Sequence, residues 1–356
     1  MGFIVEMPSK SLYKVVASDM DGTLLNEHHR LTERTKKVLF DLIYHHGISF
    51  VFATGRHHYC VTAVKDDLNH YLEEQKALQA AQLAAAPHRE APGDVYLVSS
   101  NGARVHGADG TLVLTHDIPP ALVAELYRDY GLLYTTKRKG FVKREGEPED
   151  VVSVSVYTTT QWLMSAMFYS MGEMEEKFGF RPTLIQYPDA PALQNDLGTD
   201  SAFDYYPLTD VGKVCFRSFD LELLGQLERD LRARYQDGLE QEILSIAFSS
   251  DNCLDVMLGG VSKGSAISEI VALRSAKQPA APVTLEQVVA FGDSMNDKEM
   301  LYTCGKGYYM RNAQQRLKEE LSELQDRGVD CEETTSTNTE DGVARTLMAI
   351  YELQDW

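Results

Sequence analysis

Cysteine is scarce in this chain and placed without pattern. Cys60, Cys215, Cys253, Cys304 and Cys331 are odd in number, scattered, and never form a Cys-x-x-Cys pair. That excludes a disulfide scaffold and a thiolate zinc site, and it predicts reduced thiols in a cytoplasmic protein. No apolar run approaches the roughly 20 residues of a transmembrane helix. Met1 to Lys10 contains Glu6 and Pro8 and lacks the apolar core of a secretory signal. Glu6 also stands where a myristoylation motif needs Ser or Thr. Basic residues are in deficit, with 34 Lys and Arg against 53 Asp and Glu and a net charge of −19. This argues against nucleic acid or an anionic membrane as a partner. It does not exclude a small phosphorylated substrate, because a local cation and a lysine outweigh a distant negative field.

At 356 residues the chain is long enough for two domains, at about 150 residues each. It is organised around Ala17-Ser18-Asp19-Met20-Asp21-Gly22-Thr23-Leu24-Leu25-Asn26. Lys14-Val15-Val16 ends a short apolar strand, and Gly22-Thr23 turns the chain away. Asp19 and Asp21, two apart, share a face in extended backbone, and Met20 between them points into apolar surroundings. Carboxylates at the carboxyl end of such a strand lie where α/β sheets bind ligands. Hard oxygen ligands at that tip suit magnesium. Asp-x-Asp-Gly also describes an ordinary turn.

Further along, Leu31 to His46 has helical spacing and stops at Gly47. Ile48 to Ala53 is a mostly apolar strand ending in Thr54-Gly55-Arg56. Strand, helix, strand makes a parallel unit, so Thr54 lands at the same sheet edge as Asp19. Tyr59 to Ala86 reads as one long helix, and Pro87 to Gly93 as a loop-like insertion. Val95 to Ser99 is a third strand, followed by Ser100-Asn101-Gly102-Ala103, which is either a plain turn or an element placing the substrate. Pro120 to Tyr130 is helical, Val151 to Tyr157 is a half-buried strand, and Leu163 to Phe178 is a Met-rich amphipathic helix. Gln186 to Gly212 is long and polar. Lys213 to Ser218, Leu221 to Tyr235 and Ile243 to Phe248 read as strand, helix, strand. Cys253 to Met257 is strand-like and leads to Gly260-Val261-Ser262-Lys263-Gly264. Ser262 suits a helix N-cap, but Lys263 opposes the helix dipole and implies a nearby anion. Val288 to Phe291 is a buried strand running into Gly292-Asp293-Ser294-Met295-Asn296-Asp297 and a helix from Lys298 to Thr303. A short strand at Gly307 to Met310 and a helix from Arg311 through Arg327 follow.

Four separated strings, Asp-Met-Asp-Gly-Thr-Leu-Leu, Ala-Thr-Gly-Arg, Val-Ser-Lys-Gly and Gly-Asp-Ser-Met-Asn-Asp, stand in this order. Together they resemble the motifs of the haloacid dehalogenase superfamily, and with Asn101-Gly102-Ala103 those of its Cof-type phosphatases. The resemblance implies a Rossmann-like α/β core from residues 1–103 and 249–356, with an inserted α/β cap from 104–248. It implies a magnesium-dependent phosphatase of small phosphomonoesters, sugar phosphates or a phosphorylated cofactor such as pyridoxal phosphate. Asp19 would be the nucleophile and Asp21 the general acid and base. Asp19, Asp21 and Asp293 would hold the metal. Thr54, Gly55, Lys263, Asn296 and the backbone after Asp19, at Met20 and Asp21, would bind phosphate, with Asp297 orienting Lys263 or a metal-bound water. Lys213 and Arg217 are candidates for covering the site. A monomer or weak homodimer is expected. A phosphomutase of the same superfamily would keep these residues, a phospho-receiver domain would need neither Asp21 nor a cap, and a retired binding protein would have lost a motif residue.

Overall fold

Val15, Val16 and Ala17 are all fully buried, as are Phe50 to Ala53 and Val288 to Phe291. Runs this apolar on both faces make central strands of a parallel sheet covered by helices. In the computed structural model they are its middle. The structure describes residues 13–80, 91–107, 109–132, 152–166, 168–184 and 206–354. In chain order the elements are β1 (Val15–Ser18), α1 (Glu33–Phe40), β2 (Ser49–Ala53), α2 (Tyr59–Leu78), β3 (Val95–Ser99), β4 (Arg104–His106) and β5 (Leu112–Thr115). Next come α3 (Pro120–Glu125), β6 (Ser153–Tyr157), β7 (Trp162–Met164), α4 (Met171–Phe178), β8 (Thr183–Leu184), β9 (Lys213–Arg217) and α5 (Leu221–Tyr235). The remainder is β10 (Leu244–Ser250), β11 (Cys253–Leu258), α6 (Lys263–Lys277), β12 (Val288–Gly292), α7 (Lys298–Thr303), β13 (Lys306–Tyr309), α8 (Gln315–Gln325), β14 (Cys331–Glu333) and α9 (Gly342–Ile350).

The larger sheet has the order β14-β13-β12-β1-β2-β3-β4-β5, parallel from β14 to β3 and antiparallel beyond. Alternate residues face opposite cores. Val16, Phe50, Phe52, Val289 and Phe291 pack on one side, and Val15, Ala17, Val51, Ala53, Val288 and Ala290 on the other. After β1 the chain builds outward through β2 and β3. It returns to the other side of β1 for β12, β13 and β14. The order therefore reverses between β1 and β12, the place where open α/β sheets leave a crevice at their carboxyl ends. Ser18 lies level with Phe52 and Phe291, so the loops after these three strands open at one edge.

The second sheet, β10-β11-β9-β6-β7-β8, is largely antiparallel and has its own core around Val154, Val156, Val214, Phe216, Leu227 and Leu254. The strands do not divide where the sequence suggested. Arg104 to Thr115 extends the larger sheet, while Cys253 to Leu258 belongs to the smaller one, because β11 pairs with both β9 and β10. The Met-rich segment is not one helix. Trp162–Met164 is a strand paired to β6, and Ser170 starts α4 with a capping box to Glu173. β6 is buried along its whole length rather than half-buried, because its second face packs Tyr157 against Trp162, Met164 and Met174. The helix capped by Ser262 runs from Lys263 to Lys277, and the one expected from Arg311 starts only at Gln315. The helix from Tyr59 ends at Leu78; residues 81–90, which include the first part of the insertion from Pro87 to Gly93, and 185–205, most of the polar stretch, lie outside the described residues. Among the described residues no helix is long and apolar enough to cross a membrane.

Candidate active site

Asp19 leaves β1 with extended backbone (φ −63°, ψ 165°), its amide still donating to Phe291 O at 2.9 Å. The next residues bend sharply. Met20 drops into the core, fully buried, and Gly22 takes φ +74°. A side chain at position 22 would set its Cβ 2.5 Å from Asp293 Oδ2, so the turn requires glycine both for its conformation and for this close approach. Thr23 then donates its hydroxyl to Asp293 Oδ1 at 2.7 Å. The loop after β1 thus holds the loop after β12.

Lys263 comes from a third direction. Ser262 caps α6 by accepting from Ser265 N at 2.9 Å, which fixes Lys263 as the first helical residue. Its side chain is 1% exposed, and Nζ lies 2.6 Å from both Asp19 Oδ1 and Asp297 Oδ1. Burial lowers the Lys263 ammonium, but the two carboxylates raise it further, so it stays charged. The cation against the helix dipole therefore answers two acids. Asp297 is fully committed, since its Oδ2 also accepts from the amides of Asp293 and Ser294, each at 2.9 Å. It orients Lys263 and shapes the loop.

Asp19, Asp293 and Asp297 each offer an oxygen within 4.8 Å of the others. Burial and Asp297 push the Asp19 carboxyl up, against the pull of Lys263. Burial and Asp297 likewise push Asp293 up to about 7, against its hydrogen bond from Thr23. Three crowded carboxylates sharing one ammonium need more positive charge than the side chains supply. The donors are all oxygen, and Asp297 accepts three hydrogen bonds, whereas Asp293 accepts two, from Thr23 and Ser294 Oγ, and Asp19 accepts the one from Lys263, so the latter two keep more lone pairs for a cation. The residues present fit a hard divalent cation.

Asp21 sits differently. Arg56 grips its carboxyl with both Nε, at 2.5 Å from Oδ2, and the terminal Nη2, while His29 Nδ1 lies 2.9 Å from Oδ1. Burial raises the Asp21 carboxyl, but Arg56 and then His29 more than reverse this, holding it below the usual carboxylate range. Thr54 is buried at the tip of β2, where its hydroxyl accepts from Arg56 N at 3.1 Å. Asn296 Nδ2 donates to Asn101 Oδ1 at 3.0 Å, and Asn101 Nδ2 donates to Asp255 Oδ2 at 2.7 Å. Lys213 Nζ closes the chain, 3.1 Å from Asp255 Oδ2 and 2.6 Å from Gly55 O. The turn at Asn101, with φ +56°, is thus also a link between the two sheets.

Asp19, Asp21, Thr54, Gly55 and Asn296 line one cavity of about 210 Å³, whose other wall comes from the smaller sheet and α4 and includes Lys213 and Arg217. Neither Lys263 nor Asp293 lines it: Lys263 backs its catalytic floor through the ion pair with Asp19, and Asp293 through the carboxylate cluster. A larger cavity, about 430 Å³, touches Lys263 and Asn296 and mixes acids such as Glu242 and Glu299 with Arg232, Lys298 and Arg316, but it reaches neither Asp19 nor Thr54. The structure therefore brings the expected residues together, with the Met20 side chain turned away into the core. Sequence reasoning missed Arg56, His29, Thr23, Asp255 and Trp162. Asp255 carried a readable signal, a lone acid inside the apolar strand Cys253 to Met257, which must have a buried partner.

The family model for haloacid dehalogenase-like hydrolases matches residues 16–347. The HMP-PP phosphatase of Enterobacter sp. (strain 638) is 30% identical over 311 residues, covering 87% of this chain and 89% of that protein. The HMP-PP phosphatase of Yersinia pseudotuberculosis serotype O:1b is 28% identical, covering 88% and 89%. Among solved structures, a haloacid dehalogenase-like hydrolase from B. subtilis aligns with a TM-score of 0.62 at 22% identity, over 94% of this chain and 98% of that one.

Proposed function

Since the chain belongs to the haloacid dehalogenase-like hydrolases, we propose that it is a phosphatase that hydrolyses small phosphomonoesters through a phosphorylated Asp19. The observation that carries this reading is the buried Lys263 ammonium held 2.6 Å from Asp19 at the switch point of the sheet, with Asp293 beside it and a cavity in front. Relatives named HMP-PP phosphatase support it.

The Asp19 and Asp293 carboxylates and the Asp21 backbone carbonyl would hold a magnesium ion, which when bound neutralises charge between nucleophile and phosphate. The free Asp19 oxygen attacks phosphorus, and the bond from phosphorus to the leaving oxygen breaks. Lys263, Thr54, Asn296 and the amides after Asp19 hold the other phosphate oxygens, where charge builds. Asp21 gives a proton to the leaving oxygen and then takes one from the water that hydrolyses the aspartyl-phosphate. In the free enzyme Arg56 keeps Asp21 ionised, which suits the second half. The first half requires a proton to reach Asp21 as substrate binds. The smaller sheet with its helices acts as the cap that selects the leaving group, and small size fits the cavity of about 210 Å³. Sugar phosphates and phosphorylated cofactors such as pyridoxal phosphate are the substrates expected. Phosphate release from a panel of phosphomonoesters tests this reading: turnover should vanish in EDTA and return with magnesium, and full activity in EDTA would sink it.

A further inference from the structure

The cavity in front of Asp19 is lined by four cations outside the catalytic floor, Arg56, Lys177, Lys213 and Arg217. Two are committed. Arg56 holds Asp21, and Lys213 holds Asp255. The other two hold no carboxylate among the described residues. The Arg217 guanidinium, half-buried at the end of β9, has as its company the Phe168 ring at 5.5 Å and the Cys253 thiol, which the Cys215 hydrogen bond and the Arg217 charge pull down to about 6 against burial. Lys177 Nζ lies over the rings of Tyr169 and Phe178, at 5.1 and 5.5 Å. Such an arrangement is costly. One sulfur and a ring face leave most of the five N–H donors of a guanidinium without an oxygen acceptor. It is also against the odds in a chain with 53 acidic residues and 34 basic ones. The acids lining the cavity are all taken, Asp19 by Lys263, Asp21 by Arg56 and Asp255 by Lys213.

A third donor stands in the same wall. Trp162 is 5% exposed, lines the cavity, and its buried Nε1–H has no acceptor among the described residues. Buried donors are nearly always satisfied, so an orphan in a ligand cavity marks an acceptor still to come. The scissile phosphate does not need these groups, since Lys263, Thr54 and Asn296 approach it from the larger sheet. Arg217 and Trp162 belong to the smaller sheet, on β9 and β7.

We propose that the leaving group carries a second anionic group, a carboxylate or a further phosphate, which Arg217 binds from the cap wall with Lys177 and the Trp162 indole N–H beside it. This deepens the phosphatase reading and rests on it for the position of the first phosphate. It separates substrates that the catalytic floor treats alike, singly anionic esters being bound by the floor only and doubly anionic ones by floor and wall together. Arg217 is then a specificity-determining residue, and no bond is made or broken at it.

The test uses ligands that cannot be hydrolysed. Calorimetry in magnesium compares benzylphosphonate with its 3- and 4-carboxy derivatives, taking the better derivative. In the wild type the carboxyl should tighten binding about ten- to a hundredfold, the span of a charge-assisted hydrogen bond. In Arg217→Met that affinity ratio should fall to near one, and Arg217→Lys should recover part of it. A ratio near one in the wild type overturns the proposal without any variant, so misfolding of Arg217→Met cannot protect it. A ratio that survives in folded Arg217→Met overturns it too, and would assign Arg217 to the first phosphate or to the fold. Because phosphonates are not turned over, this result is independent of the phosphatase reading, whose failure would show as no phosphate release from 4-nitrophenyl phosphate in magnesium.

Discussion

Lys263→Met removes the ammonium that Asp19 and Asp297 share. In the native protein this lysine is 1% exposed and reaches both carboxylates at 2.6 Å, while Asp293 lies in the same cluster. Removing one partner of a buried ion pair typically costs about 3–5 kcal/mol, and here two acids lose their partner. The loss must depend on pH in a fixed sense. Burial and neighbouring charge push Asp19 and Asp293 above their unfolded values, Asp293 to about 7. Groups raised in this way favour the fold when protonated, below the unfolded value, and that contribution is lost as pH rises through the folded value. Without Lys263 both acids are raised further, so the variant loses more across the same window. Urea unfolding in EDTA should show a gap of about 3–5 kcal/mol between wild type and variant at pH 8. At pH 5 the gap should narrow, by about 1.4 kcal/mol for each unit of added shift. Excess magnesium at pH 8 should recover part of the loss. A gap that is the same at both pH values, or below about 1 kcal/mol at pH 8, would refute the claim that this lysine balances a buried acidic cluster.

Three more outcomes are expected. Asp19→Asn should lower turnover on the order of 10⁴–10⁶-fold, as loss of a nucleophile does, while its metal-free melting temperature stays level or rises, since a crowded charge is gone and the Lys263–Asp297 pair remains; paired activity and melting measurements check it, and retained turnover would disqualify the nucleophile. Asp21→Asn should slow phosphorylation about 10²–10⁴-fold with a sugar phosphate but much less with 4-nitrophenyl phosphate, whose leaving group needs no proton, and slow dephosphorylation with both. Single-turnover kinetics should therefore show a burst only with the nitrophenyl ester. Gly22→Ala should weaken magnesium binding, because its Cβ would press on Asp293 Oδ2 from a φ of +74° at a strain of about 1–3 kcal/mol; titration of the metal by calorimetry measures it, and unchanged affinity would show that the loops after β1 and β12 yield to each other.

The catalytic floor was legible in the sequence because its residues follow strand ends directly. Asp19, Thr54 and Asp293 each stand one residue beyond the end of a strand, and parallel pairing must bring such positions to one edge. Lys263 was legible as a cation set against a helix dipole. The grip of Arg56 on Asp21 was not, because 35 residues separate them and nothing local marks the arginine as more than part of a turn. Asn101, Asp255 and Lys213 meet across the two sheets, and only the register of β9 and β11 puts Asp255 beside Cys215 and within reach of Lys213. The segment from Leu163 to Phe178 misled for a different reason. Apolar residues at helical spacing said nothing of the pairing of Trp162–Met164 with β6, and the capping box at Ser170 set the true start of the helix. The wall that faces Asp19 comes from such pairings, so its chemistry emerged only with the fold.

The most direct test of the central claim is to look for the phosphoryl group on the chain itself. The wild-type enzyme is mixed with 4-nitrophenyl phosphate and magnesium, quenched in acid within the first turnover, digested and mapped by mass spectrometry. One phosphoryl group should appear on Asp19, absent with EDTA and absent in Asp19→Asn, and it should accumulate in Asp21→Asn. Phosphate released without that mark, or a mark on a different residue, would contradict the account.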